Sequence, residues 1–144
     1  MFESLIEHIY GVIASNDYTS AVALPTYPSD YKGSISDSPF LRVHVITGGS
    51  GRPSYQNQKM LSGLLVISVY YPSGSGQKLP TTIAGQLDTV FEDKILDKKL
   101  FLKESSLQFM GDDRSAPRVP SEASNTDSTL SRADYTVPFT YYGV

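Results

Sequence analysis

The sequence predicts an α+β fold: a mostly antiparallel β-sheet with two helices packed against it and long loops between the elements. Three observations carry this reading. Apolar residues recur at spacings of three and four near the N-terminus and again in the second half of the chain, as on one stripe of a helix. Two segments alternate between apolar and polar residues, as half-buried strands do. Between the helical stretches, Met60 to Tyr71 is a run apolar on both faces, as expected of a central strand covered on both sides. With 144 residues the chain is long enough for one sizeable core, so residues 1–144 read as a single domain.

Phe2, Leu5, Ile6, Ile9, Val12 and Ile13 define the first helix, which runs to about Ser15. Asn16 to Ser38 contains Pro25, Pro28 and several serines, and reads as an extended connection with a candidate short strand at Val22 to Leu24. From Phe40 to Thr47, Leu41, Val43 and Val45 share one face while Arg42 and His44 share the other, which predicts a strand. Gly48 to Lys59 has three glycines, Pro53 and almost no apolar residues, so it is expected to be a loop that orders on a partner.

Leu64, Leu65, Val66, Ile67, Val69, Tyr70 and Tyr71 form the apolar run, and one of its covers must be a helix. Pro80 to Leu96 supplies that helix, with Ile83, Leu87, Val90 or Phe91, and Ile95 on its stripe. Leu102 to Met110 and Thr129 to Tyr142 predict two further strands, the second with Tyr135, Val137, Phe139 and Tyr141 on one face. Pro138 lacks an N–H and so points to a sheet edge or a bulge. The polar stretch Gly111 to Asp127, with Pro117 and Pro120, is expected to be a functional arm.

Composition excludes several function classes. A formal net charge of -3 argues against tight binding to a phosphate backbone, which needs clustered Lys and Arg. No apolar run approaches the roughly 20 residues that span a bilayer, and Glu3 and Glu7 stand where a signal peptide would be basic. The expectation is a soluble cytosolic protein with no membrane partner. The absence of cysteine removes disulfides, thiolate nucleophiles and Cys-ligated zinc.

Each chemical motif has a plainer reading that outweighs it. Gly74 to Lys78 lies between a strong strand and a strong helix, where a phosphate loop would sit, yet it lacks the G-x-x-x-x-G-K-[ST] spacing and reads as a connection. His8 and His44 lie on mainly polar faces and lack the company a zinc site requires, which makes them surface or interface residues. Asp112 and Asp113 beside Arg114 suit a solvated turn or an ion pair between subunits better than a cation loop. No G-x-S-x-G elbow occurs. No catalytic residue, cofactor or metal is therefore assigned. Ten tyrosines, with Tyr70, Tyr71, Tyr135, Tyr141 and Tyr142 among them, favour a protein interface over a base-stacking platform because no basic groove accompanies them.

The arrangement resembles the tail terminator, or tail completion, proteins of long-tailed bacteriophages. The resemblance rests on the N-terminal helix ending near Ser15, the strand Gly63 to Tyr70 closing in Pro72-Ser73-Gly74-Ser75-Gly76, the helix Ile83 to Phe91 directly after it, and the final Tyr135-Thr136-Val137-Pro138-Phe139-Thr140-Tyr141-Tyr142. It covers most of the chain by pattern, and no single residue is diagnostic. The resemblance implies a non-enzymatic virion protein assembled in the host cytoplasm. It also implies a hexameric ring on the head-proximal end of the tail tube, which halts tube polymerisation and offers a surface to the head–tail connector. DNA would pass through the lumen without specific binding. On this reading Gly48 to Lys59 and Gly111 to Asp127 are the contact loops, and the candidate interface residues are Arg52, Tyr55, Lys59, Asp112, Asp113, Arg114, Arg118 and Tyr141. Neck stopper or head-completion proteins and tail tube subunits are the neighbouring alternatives, and a small nucleotide- or phosphate-binding enzyme is the alternative of another class.

Overall fold

The computed structural model describes residues 2–22, 24–28, 39–51, 59–72, 76–96, 98–113 and 130–143. Helix α1 spans Phe2–Ile13 and buries Leu5 and Ile9, as its stripe predicts. It does not lead into an extended connection. Ser15 starts a second, short helix, α2 (Asn16–Ala21), in which the Ser15 side chain accepts from the Tyr18 N–H. Periodicity is silent over so short a helix, whereas a serine followed by Asn16 and Asp17 is an N-terminal capping signal. Val22 closes α2 rather than starting a strand, and the strand comes later as β1 (Thr26–Pro28).

The long strands are β2 (Phe40–Gly51), β3 (Lys59–Pro72) and β7 (Leu130–Gly143). Helix α3 (Lys78–Phe91) follows β3, and the short β4 (Ile95–Leu96), β5 (Leu100–Leu102) and the longer β6 (Ser106–Asp113) precede β7. Among the described residues these strands form one sheet in the order β1-β2-β3-β7-β5-β4, with β6 also paired to β7. All pairings are antiparallel except β1 with β2.

Several sequence expectations shift here. The predicted loops are shorter: Gly48 to Gly51 and Lys59 belong to strands, and Gly111 to Asp113 extend β6. Helix α3 stops at Phe91, so Ile95 leaves the helical stripe for β4, where it is 61% exposed. The break follows from the backbone, since Glu92 is already extended and Asp93 has a φ of 52°.

Pro138 is not at an edge. It faces Leu64 in the sheet interior, and its carbonyl accepts the Lys103 N–H at 2.9 Å on the opposite side. Backbone groups of one residue point to one side of a strand, so the missing N–H points at the junction where β5 has ended and β6 has not begun. The Lys103 carbonyl that it would have bonded accepts the Asp93 N–H at 3.3 Å instead.

The three helices cover one face of the sheet. Beneath them Leu41 and Val43 of β2, Leu61, Leu65, Ile67 and Val69 of β3, and Ala133, Tyr135, Val137 and Phe139 of β7 pack with Ile83, Leu87 and Phe91 of α3. Gly63 belongs to this layer because a Cβ there would lie 2.2 Å from the Ile46 carbonyl oxygen and 2.9 Å from the Phe139 ring. No described helix packs on the other face. The central strand is therefore covered on one side only among the described residues, and Leu64, though apolar, remains exposed.

Candidate assembly surface

The open face is built by strand alternation. Because side chains switch face at every residue, the same strands that bury Leu41, Leu65 and Val137 must present Arg42, His44 and Ile46 from β2 and Leu64, Val66 and Ser68 from β3. Arg132, Asp134 and Thr136 of β7 and Gln108 of β6 complete a shallow depression of about 430 Å³. Within it Ser68 Oγ donates to Asp134 Oδ1 at 2.8 Å, and Arg132 Nε lies 3.3 Å from the same oxygen. The lone carboxylate is thus already engaged by its own chain, while Ile46 and Leu64 offer apolar surface beside it. One end is closed by an aromatic stack, with Phe40 and Tyr70 5.0 Å apart and nearly parallel and Tyr27 edge-on to Phe40.

A second depression, of about 810 Å³, lies between the helices. Val12, Ala21, Val90 and Leu96 contribute apolar lining, and Glu7, Asp17 and Lys94 contribute charge. Hydroxyls of the second depression are bonded to backbone, Ser15 Oγ donating to the Val12 carbonyl and Ser20 Oγ to the Asn16 carbonyl. Among the described residues no group of three or more His, Asp or Glu is placed to hold a metal ion.

The concentrated polar chemistry lies beneath α3. Tyr135 donates to Asp88 Oδ1 at 2.6 Å, Ser105 Oγ reaches the same oxygen at 2.6 Å and also contacts Glu92 Oε2, and the Ser105 N–H donates to that oxygen at 3.2 Å. Burial, reinforced by the bond to Asp88, pushes the Tyr135 phenol far above its ordinary range. A phenol that holds its proton so firmly is a donor strut, joining β7, α3 and the β5–β6 connection, and not a base. Tyr18 resembles it: its hydroxyl lies 2.6 Å from Thr26 Oγ1 and burial raises its pKa to about 12. Apolar periodicity gives no hint of either node, because it marks which faces are buried and not which polar groups meet.

The residues singled out from sequence divide into three groups. Arg52, Tyr55, Arg114 and Arg118 lie outside the described residues, as do Ser73 to Ser75 of the supposed phosphate loop. Lys59 pairs with Gly143 at the start of β3, and Asp112 and Asp113 pair with Ser131 and Leu130 in a ladder, so neither aspartate is in a turn. Tyr141 is 4% exposed and packs toward His8 of α1 at a ring separation of 6.5 Å. Tyr70, Tyr71 and Tyr135 are buried too, so these tyrosines pack within their own chain, where alternation turned them toward the helices or onto Phe40. The open face departs from the sequence expectation, which places Leu64 in a run covered on both sides and draws nothing from Ile46 or Arg132.

Among the described residues, then, the sheet is backed by helices on one face and open on the other. Residues 14–140 match the family model described as phage tail terminator protein, and the chain belongs to that family, a family of structural proteins of the phage tail. No curated protein matches the chain. No helix among the described residues is long and apolar enough to cross a membrane.

Proposed function

We propose that this protein forms a ring, hexameric by resemblance to its family, that seats on the head-proximal end of the phage tail tube, stops tube polymerisation and provides the surface to which the head connector joins. Membership in the terminator family over residues 14–140 carries the reading. The open sheet face supports it, since Ile46 and Leu64 leave apolar area in contact with water that a neighbouring protein would cover. Closure is the mechanism: a head-to-tail interface that returns to its start after a full rotation ends growth, whereas one that does not return makes a filament.

In this reading Arg52, Tyr55, Lys59, Asp112, Asp113, Arg114 and Arg118 contribute to the contacts with the tube protein and the neck. A net charge of -3 suits a lumen through which DNA passes without being gripped. The protein assembles in the host cytoplasm and ends in the virion tail.

Electron microscopy of the purified chain, alone and mixed with tube protein, tests the proposal. Discrete rings that cap tubes are expected. Tubes of indefinite length built from this chain would identify a tube subunit instead. A neck stopper would bind connector and leave tube growth unchecked. Micromolar nucleotide binding abolished by Lys78→Ala would replace the structural reading with an enzymatic one.

A further inference from the structure

The sheet ends in two unfinished edges. β1 pairs with β2 only at Leu41 to Val43, so the outer side of β2 from His44 onward has no strand beside it among the described residues. β6 pairs with β7 and likewise carries no described strand on its outer side. An unpaired edge is a template for another strand, and proteins blunt such edges or use them. Both of these carry exposed apolar side chains, with Ile46 45% exposed on one and Phe109 and Met110 37% and 43% exposed on the other.

The polarity of the two edges can be followed from single hydrogen bonds. The Leu41 N–H donates toward β1, so the odd-numbered residues of β2, Val45 and Thr47 among them, direct their backbone groups outward. Pro138 and Tyr142 of β7 direct theirs toward β5 and β6. Thr136 and Asp134 share that parity, so their partners Ser106 and Gln108 bond inward, and Leu107 and Phe109 direct their backbone groups outward. All four outward residues place their side chains on the helix-covered face, since Val45 and Leu107 pack against the helix-side core and Thr47 and Phe109 share their parity. In addition β2, β3, β7 and β6 alternate in direction, so β2 and β6 run opposite ways.

From this we infer that the β6 edge of one copy pairs antiparallel with the β2 edge of the next, carrying the sheet across the subunit boundary with every helix layer on the same side. Opposed residues in an antiparallel ladder share a face, and the two edges meet that condition only because their outward residues match in parity. The register that opposes all four outward groups places Val45 against Phe109 and Thr47 against Leu107, with Ile46 facing Gln108 between them. Regular pairing is confined to this stretch by the bulges after Thr47 in β2 and after Phe109 in β6. Because one edge differs from the other, the contact is head-to-tail and can propagate around a ring. The inference rests on the proposed ring and names its seam.

The chain contains no cysteine, which gives cross-linking a clean background. Ile46 and Gln108 are both exposed, and in this register they form a non-hydrogen-bonded pair with Cα atoms about 4.5 Å apart, within reach of a disulfide. On oxidation, full-length protein carrying both Ile46→Cys and Gln108→Cys should run on a non-reducing gel as a ladder extending past the dimer. Either single variant should stay monomeric, and the two singles mixed should stop at dimers. Thr47→Cys with Leu107→Cys provides a second pair in the same register. Failure of both pairs to cross-link, or single variants cross-linking as well as the double, would overturn the seam. The native mass of the unsubstituted protein separates the two readings. Discrete rings without cross-links remove the seam and leave the ring, while cross-linked open chains that never close keep the seam and remove the ring.

Discussion

Tyr135 in the last strand donates its phenolic proton to Asp88 in the third helix across 2.6 Å, over a sequence separation of 47 residues. The same Asp88 oxygen takes Ser105 from the β5–β6 connection, so one carboxylate ties three parts of the fold together. Removing the hydroxyl while keeping the ring isolates that link. Tyr135→Phe is expected to destabilise the protein by about 1–3 kcal/mol, because it leaves a part-buried carboxylate short of a donor. Urea unfolding should show a lower midpoint at unchanged slope.

Alkaline pH should weaken the fold through its buried phenols. The Tyr18 pKa is raised from 10.0 to about 12, chiefly by burial, so the folded chain keeps a proton that the unfolded chain releases. The contribution is intact below pH 10.0, declines as the unfolded state ionises, and is gone once pH passes the folded value of about 12. A two-unit shift corresponds to roughly 2–3 kcal/mol. Tyr135, shifted in the same direction, adds to the loss. Thermal melts across this range should show the decline, and Tyr18→Phe should make it shallower.

Two glycines should respond oppositely to alanine. At Gly63 a Cβ would meet the Ile46 carbonyl oxygen at 2.2 Å, and a backbone atom cannot step aside, so Gly63→Ala should cost about 3 kcal/mol or more. At Gly85, an exposed position within α3, nothing lies within 4 Å of the added carbon. Gly85→Ala should stabilise by about 1 kcal/mol through helix propensity. Melting temperatures of the two variants check both signs.

Ser15 stands at the joint between α1 and α2. Its hydroxyl donates to the Val12 carbonyl and accepts the Tyr18 N–H, the latter at a long 3.4 Å. Ser15→Ala should therefore cost about 0.5–1 kcal/mol, the lower part of the range for a cap. Amide exchange should quicken over Asn16 to Ala21 more than in α3.

Residues within one element were legible from sequence wherever a period repeats. The spacing of Leu5 and Ile9, of Ile83 and Leu87, and the alternation of Leu41 and Val43 located α1, α3 and β2, and the α+β class followed, because each pattern needs only neighbours along the chain. The apolar character of β3 was legible too, but not which of its faces stays open, since that depends on where the helices dock. Tertiary structure alone decided that Pro138 could sit in a central strand, that Tyr141 would be buried against α1, and that Asp88, Ser105 and Tyr135 would meet. Local spacing is set by backbone geometry, which every residue carries with it. A contact across the sheet is set by register and by the ends of other strands, and those arise only once the whole chain has closed on itself.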